Sequence, residues 1–407
     1  MAMTRRPLIG VGAVAVVVTA ALVLTLASAP STPPGTSAMP SPAAAAGGQT
    51  ERPTPTPPVP GHELFGFVPY WEMDGTIATH LAKTPLTTLG LSSVTHTKTG
   101  KIDTSQTGYK RITGAIGQQL IREAHDRGVA VQLVYSSFGT ARNDRLFASF
   151  KVQDATIAAL VALTRKIGAD GITVDVEQVR DASIAPYGAF VGRLRVALVE
   201  AQPDGRVTAA TAAGRTGAAM AQAAIQAGAD RIFLMGYDYH YAGSDVGASA
   251  PMDRRDGAVA DLPWSLDLYA ALGVPPEKTV LGLPLYGMRW RVAGPELGAP
   301  RLGNGAIWVP ADNPMFLAAP PTAPEFDPLE VVEFYSVAPT VSPAPGDSRA
   351  TAGWQAIYVD SPATLTPKLA LADDRGLAGA GFWAIGYERG LAGYRELMTS
   401  FTAGQLR

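Results

Sequence analysis

Asp175 and Glu177 stand two residues apart at the end of a short apolar run, Gly-Ile-Thr-Val-Asp-Val-Glu, residues 171–177. Side chains on a β-strand alternate with a period of two, so Ile172, Val174 and Val176 take one face and Thr173, Asp175 and Glu177 the other. Two carboxylates on one face can do acid–base chemistry. Like-charge repulsion raises the pKa of one of them, which then carries a proton near neutrality and delivers it to a leaving group. Asp and Glu are poor strand formers, and burying their charge without partners is costly. The same alternation also describes a strand with a solvated side on which acidic residues simply face water. The segment alone leaves both readings open.

What positions the pair is a series of apolar runs separated by amphipathic, Ala-rich stretches. Strands are predicted at 64–70, 88–95, 129–135, 171–177, 207–212, 232–237, 280–286 and 379–385. Helices are predicted at 117–127, 154–167, 186–201 and 366–374, the last with Thr366 as its cap and Pro367 at its first position. This alternation predicts an α/β fold, a (β/α)8 TIM barrel, in which functional side chains cluster at strand carboxyl ends. Asp175 and Glu177 occupy that end of the fourth strand. Residues 288–360 are too long for a simple connection and contain strand-like pieces at 331–335 and 354–359. They read as a small α+β insertion between strands seven and eight, forming either a cleft wall or a surface excursion.

The amino terminus has a different character. Arg5 and Arg6 precede an uncharged apolar run from Leu8 to Leu26 and a small-residue stretch, Ala27-Ser28-Ala29, which are the parts of an export signal. The run is also long enough for a retained membrane anchor, so residues 1–29 are expected to be one or the other. Thr4 to Ile9 further resembles a twin-arginine export signal. Residues 30–60 are almost entirely Pro, Ser, Thr, Ala and Gly, a disordered tether, and the barrel is expected over 61–402. An exported protein, released or held at the outer face of the membrane or wall, follows.

Composition removes several function classes. A formal net charge of −2 offers no basic excess for a nucleic acid. With no cysteine there is no disulfide, thiolate metal site or Cys nucleophile. There is no GxSxG elbow, HExxH helix or phosphate loop. His240 with Asp238 and Asp245 lacks a ligand-spaced partner, so no metal and no cofactor are expected, and the chain is expected to be a monomer.

Four segments carry a family resemblance. Asp170-Gly171-Ile172-Thr173-Val174-Asp175-Val176-Glu177 resembles the fourth-strand signature DGxDxDxE of glycoside hydrolase family 18, the chitinase-like barrels. Met235-Gly236-Tyr237-Asp238 resembles the family's MxYD element, Gly381-Phe382-Trp383 the eighth-strand element, and Phe65 to Trp71 the first strand. The resemblance spans His62 to about residue 400. It implies that Glu177 is the general acid, that Asp175 and Tyr237 hold the substrate's 2-acetamido group, and that this group attacks the anomeric carbon in place of a second carboxylate. It further implies sugar contacts from Trp383, Asp238, Trp71, Tyr70 and Met235, with Trp383 otherwise a plain core residue. The implied activity is retaining hydrolysis of β-linked N-acetylglucosamine polymers, chitin oligosaccharides or peptidoglycan. The rival is a sugar-binding protein on the same barrel without turnover.

Three departures qualify the pattern. Thr173 replaces the first acidic residue of the triplet and can offer Asp175 a hydroxyl but no charge. Tyr135-Ser136-Ser137-Phe138-Gly139 differs from the usual SxGG, and Met288 stands where many members have arginine. These resemble the wall-directed and spore-associated branches of the family.

Overall fold

A computed structural model describes residues 62–339 and 353–406. The expected signal at 1–29 and tether at 30–60 lie outside the described residues. In chain order the barrel takes β1 (Glu63–Pro69), β2 (Thr88–Val94), β3 (Ala130–Phe138), β4 (Gly171–Glu177), β5 (Arg206–Ala212), β6 (Arg231–Met235) and β7 (Thr279–Pro284). A second sheet follows, with β8 (Gly287–Val292), β9 (Ala306–Trp308), β10 (Glu325–Asp327), β11 (Val332–Val337) and β12 (Trp354–Val359), before β13 (Gly379–Trp383) closes the barrel. The eight barrel strands are parallel, in the closed order β1-β13-β7-β6-β5-β4-β3-β2. This is the (β/α)8 barrel expected from the sequence.

The lumen is filled rather than hollow. Phe65, Phe67, Val134, Ala210, Phe233 and Val280 pack together inside it. Room for the Phe233 ring comes from two glycines, since a Cβ on Gly282 would lie 2.4 Å from the ring and one on Gly381 2.5 Å. At the amino-terminal end, aspartates just before β4 and β6 fix strand register. Asp170 Oδ2 accepts from Val131 N at 2.7 Å and faces His125 Nε2 at 2.8 Å, and Asp230 Oδ2 accepts from Val207 N at 2.8 Å. Helix Phe150–Ile167 shows why the outer layer forms where it does. Ser149 Oγ caps its first turn, Gly168 ends it in the left-handed region at φ 76°, and Ile157, Leu160, Val161 and Ile167 turn inward.

Several boundaries differ from expectation. The last long helix runs Pro362–Asp374, so Ser361 is its cap and Pro362 its first residue, while Pro367 lies inside it. Ser361-Pro362 carries the same local signal as Thr366-Pro367, five residues earlier. The sixth, seventh and eighth barrel strands end at Met235, Pro284 and Trp383, which moves Tyr237, Tyr286 and Ile385 into the following loops. Helices Arg215–Gln226 and Leu262–Ala271 add to those predicted; the second is apolar on all sides, which hides its helical period.

The second sheet is antiparallel, ordered β10-β11-β12-β8-β9, and it is no loose excursion. One face buries Met288, Trp290, Phe334 and Tyr358 in the main core, and the other builds a small cluster of Trp308, Tyr335, Ile357 and Val359. Met288 is thus a packing residue, and Arg289 points away from it to solvent. Where the chain returns from β12, Lys368 Nζ donates to Asp360 Oδ1 at 2.5 Å, with both side chains almost wholly buried. Removing one partner of such a pair leaves an unsatisfied charge. Lys368→Ala is therefore expected to destabilise the fold by about 3–5 kcal/mol, read as a lower denaturation midpoint in urea.

Candidate active site

Both faces of β4 are buried, which rules out the reading of a strand with a solvated side. Ile172, Val174 and Val176 pack outward in the core, while Thr173 and Asp175 are buried on the lumen face and Glu177 is half-buried at its rim. β3 and β4 align Ser136 with Asp175 and Phe138 with Glu177. Ser136 Oγ donates to Asp175 Oδ2 at 2.9 Å. The other oxygen, Oδ1, is buried and has no hydrogen-bond partner among the described residues. Glu177 is held by its backbone, whose carbonyl accepts from Asn143 Nδ2, while Ser137 Oγ donates to Asn143 Oδ1 at 2.7 Å. Gln178 follows in the left-handed region at φ 62°, turning the chain sharply away from the strand and leaving Glu177 at the edge of the opening.

The electrostatics separate the pair from ordinary carboxylates. Burial pushes Asp175 up to about 6, opposed by the Ser136 hydrogen bond. Burial also raises Glu177, to about 8, and the neighbouring carboxylates of Asp175 and Asp238 add to the effect. Within the pair, Glu177 is the group that holds its proton to higher pH. Near neutral pH the pair holds one proton, which geometry and charge assign to Glu177.

The β6 loop brings a second set of groups. Tyr237 is half-buried, and Asp238 has an exposed surface and a left-handed backbone at φ 62°. Tyr286 Oη donates to Asp238 Oδ1, and Ser249 Oγ accepts from Asp238 N at 3.0 Å. Ser249 Oγ also lies 3.2 Å from Tyr286 Oη, and the Tyr237 and Tyr286 rings meet edge to face with centroids 6.2 Å apart. Crowding by protein raises the Asp238 carboxyl, opposed by Tyr286; its open side to water moderates that effect.

An aromatic strip follows β1 and the end of β13. Trp383 is half-buried on the luminal cluster, 5.7 Å from Phe67 and 6.3 Å from the exposed Trp71, between ring centroids. Tyr70 sits edge-on to Trp71 at 4.9 Å, and half-buried Met235 packs against the same luminal cluster. The structure thus gathers the catalytic and sugar-contact residues named from the sequence at one end of the barrel, on β4, β6 and β13 or the loops that follow β1 and β6.

One expectation needs correction. Thr173 makes no bond to Asp175; its Oγ1 donates to Gln132 Oε1 at 2.7 Å, one step down the lumen. Ser136 on β3 holds Asp175 in its place, a contact that only strand register could reveal. His240 takes a structural place. Its Nδ1 meets the Asp245 carbonyl at 2.9 Å, and its Nε2 faces buried Glu330 at 3.4 Å, joining the β6 loop to the second sheet. Tyr286, Ser249 and Phe138 were not singled out as site residues, because their positions depend on how the loops after β6 and β7 and the end of β3 converge.

The sequence profile of glycosyl hydrolases family 18 matches residues 65–388, most of the described chain and all of the site. The chain belongs to glycoside hydrolase family 18. This family 18 chain is 35% identical over 179 residues to a probable endochitinase of Caenorhabditis elegans, covering 38% of this chain and 27% of that protein. It is 31% identical over 129 residues to the putative sporulation-specific glycosylase YdhD of Bacillus subtilis, covering 30% and 28% respectively. These alignments span less than a third of either relative. Among solved structures, the barrel superposes on a Cycas revoluta family 18 chitinase in complex with (GlcNAc)3 with a TM-score of 0.68 at 17% identity, covering 85% of this chain and 100% of that one. It superposes on the Bacillus cereus spore cortex-lytic enzyme SleL with a TM-score of 0.65 at 15% identity, covering 84% and 74%. At such identities these structures speak for the family 18 fold.

Proposed function

We propose that this protein is an exported glycosidase that hydrolyses β-linked N-acetylglucosamine polymers, chitin oligosaccharides or the glycan of peptidoglycan, with retention of configuration. One observation carries the mechanism: Asp175 presents a buried Oδ1, unpartnered among the described residues, beside a carboxyl, Glu177, whose pKa is raised to about 8. The unpaired oxygen needs a donor, and the N–H of a 2-acetamido group is one of matching polarity. Glu177 gives its proton to the glycosidic oxygen as the bond to the anomeric carbon breaks. The acetamido oxygen attacks that carbon, forming an oxazolinium ion whose positive charge Asp175 stabilises. Tyr237 orients the acetamido group through its hydroxyl. Glu177, now ionised, takes a proton from water as the water attacks the anomeric carbon from the face the leaving group vacated, breaking the bond to the acetamido oxygen and returning the β-anomer. Trp383 stacks under the apolar face of the sugar, and Asp238, Tyr70, Trp71 and Met235 line the remaining cleft.

Family membership, the paired carboxylates and the names of the relatives support a glycan substrate. Residues 1–29 support export, with 30–60 as a tether that lets the barrel reach a wall polymer. In the test, the purified protein is given chito-oligosaccharides and peptidoglycan strands side by side, and the first product is examined by proton NMR. The expected product is the β-anomer, with competitive inhibition by a thiazoline that mimics the oxazolinium ion. An α-anomer formed first, or indifference to the thiazoline, rules out acetamido participation; binding without any product favours the non-hydrolytic alternative.

A further inference from the structure

The segment that follows β13 grips the segment that follows β1 through three consecutive residues. Tyr387 Oη accepts from Trp71 Nε1 at 3.1 Å. Glu388, buried, faces His80 Nε2 at 2.6 Å through Oε1 and accepts from Gly386 N at 2.9 Å through Oε2. Arg389 reaches Glu72, and also Asp74 Oδ1 at 3.1 Å. Tyr387 is tied from two further directions, since its N donates to Ala384 O at 3.1 Å, beside Trp383, and its carbonyl accepts from Ala311 N at 2.8 Å, from the second sheet's excursion.

These contacts surround a side chain that would otherwise be free. Trp71 is 53% exposed, an unusual position for a large aromatic ring. Its ring stands edge to face with both Tyr70 and Trp383. An exposed indole on a loop has several rotamers, and one hydrogen bond from its only polar atom to a buried phenol selects among them. Tyr387 is itself only 7% exposed and fixed at both backbone groups, so the acceptor it offers is rigid.

We infer that Tyr387 is a positioning residue: it holds the Trp71 ring as a second sugar platform next to Trp383, so that chains longer than the sugar at Trp383 are bound preferentially. This rests on the proposed glycan substrate. A preorganised ring loses less rotamer entropy on binding, and the stabilisation is felt only by a ligand long enough to reach it.

The test uses the full chain carrying Glu177→Gln, so that ligands are not consumed, with and without Tyr387→Phe. Calorimetry measures the binding of an N-acetylglucosamine hexamer and dimer. Loss of one hydrogen bond predicts a hexamer Kd weakened about fivefold and a dimer Kd changed less than about twofold. In a Trp71→Ala background the Tyr387 substitution is expected to add nothing. Labelling with 5-fluorotryptophan reports the anchoring directly in the ligand-free protein, with the Trp71 resonance assigned by its absence in Trp71→Phe. An unchanged Trp71 resonance in Tyr387→Phe overturns the anchoring. A changed resonance with hexamer and dimer weakened alike, or additive losses with Trp71→Ala, overturns the platform. No hexamer binding by the parent refutes the glycan reading, and the platform with it, whatever the resonance does.

Discussion

Glu177→Gln is expected to lower kcat on N-acetylglucosamine oligomers by about 10²–10⁴-fold, the usual contribution of a positioned general acid, while sugar affinity persists. Gln keeps the size of the side chain but cannot deliver a proton. A second consequence is thermodynamic. The Glu177 pKa in the folded protein is raised from 4.5 to about 8, so the folded state holds a proton that the unfolded chain releases across that interval. Stability conferred by the native protein therefore falls as pH rises from about 4.5 towards 8, and the amide variant escapes this loss. Its melting temperature is expected to exceed the parent's at pH 8 and to match it near pH 4. Unchanged hydrolysis in the variant removes Glu177 from the mechanism; a matching melting curve at both pH values removes the buried charge from the account.

Asp175→Asn is the second large effect, about 10²–10³-fold in kcat, from losing the negative charge that faces the oxazolinium ion. The pH profile distinguishes this from a mere packing defect. The parent needs Asp175 ionised and Glu177 protonated, so its rate is expected to fall below about pH 6 and above about pH 8. Neutralising Asp175 removes one source of the Glu177 shift, behind burial itself, so the alkaline limb moves to lower pH. Residual activity with an unmoved alkaline limb shows that the two carboxylates do not communicate.

The strand-to-chemistry links were the most legible part of the sequence. β4 is bounded where alternation ended it, and the order of motifs along the chain places Asp175, Tyr237 and Trp383 at one end of the barrel because parallel strands put all their carboxyl ends together. What the sequence hid were contacts between neighbours in space. Ser136 meets Asp175 only through the register of β3 against β4, and Tyr286 meets Asp238 only because two loops converge. Thr173 shows the opposite failure. Its position in the motif suggested a bond to Asp175, yet Gln132, two residues before Val134 on the adjacent strand, competes for the same hydroxyl and wins. The Thr366 cap failed for a local reason, since two Ser/Thr-and-Pro signals lie within one helix and only the first begins it.

Asp170 and Gly171 open the octapeptide that first suggested the family, but they sit at the far end of β4 from Glu177. Asp170 ties β4 to β3, and a Cβ on Gly171 would approach the Arg206 carbonyl to 2.4 Å. These two residues therefore serve the packing and register of the barrel rather than the carboxyl end where Glu177 sits. A descendant that had abandoned hydrolysis would keep Asp170 and Gly171 as long as it kept its barrel, so a search for working enzymes among related chains should weigh only Asp175 and Glu177.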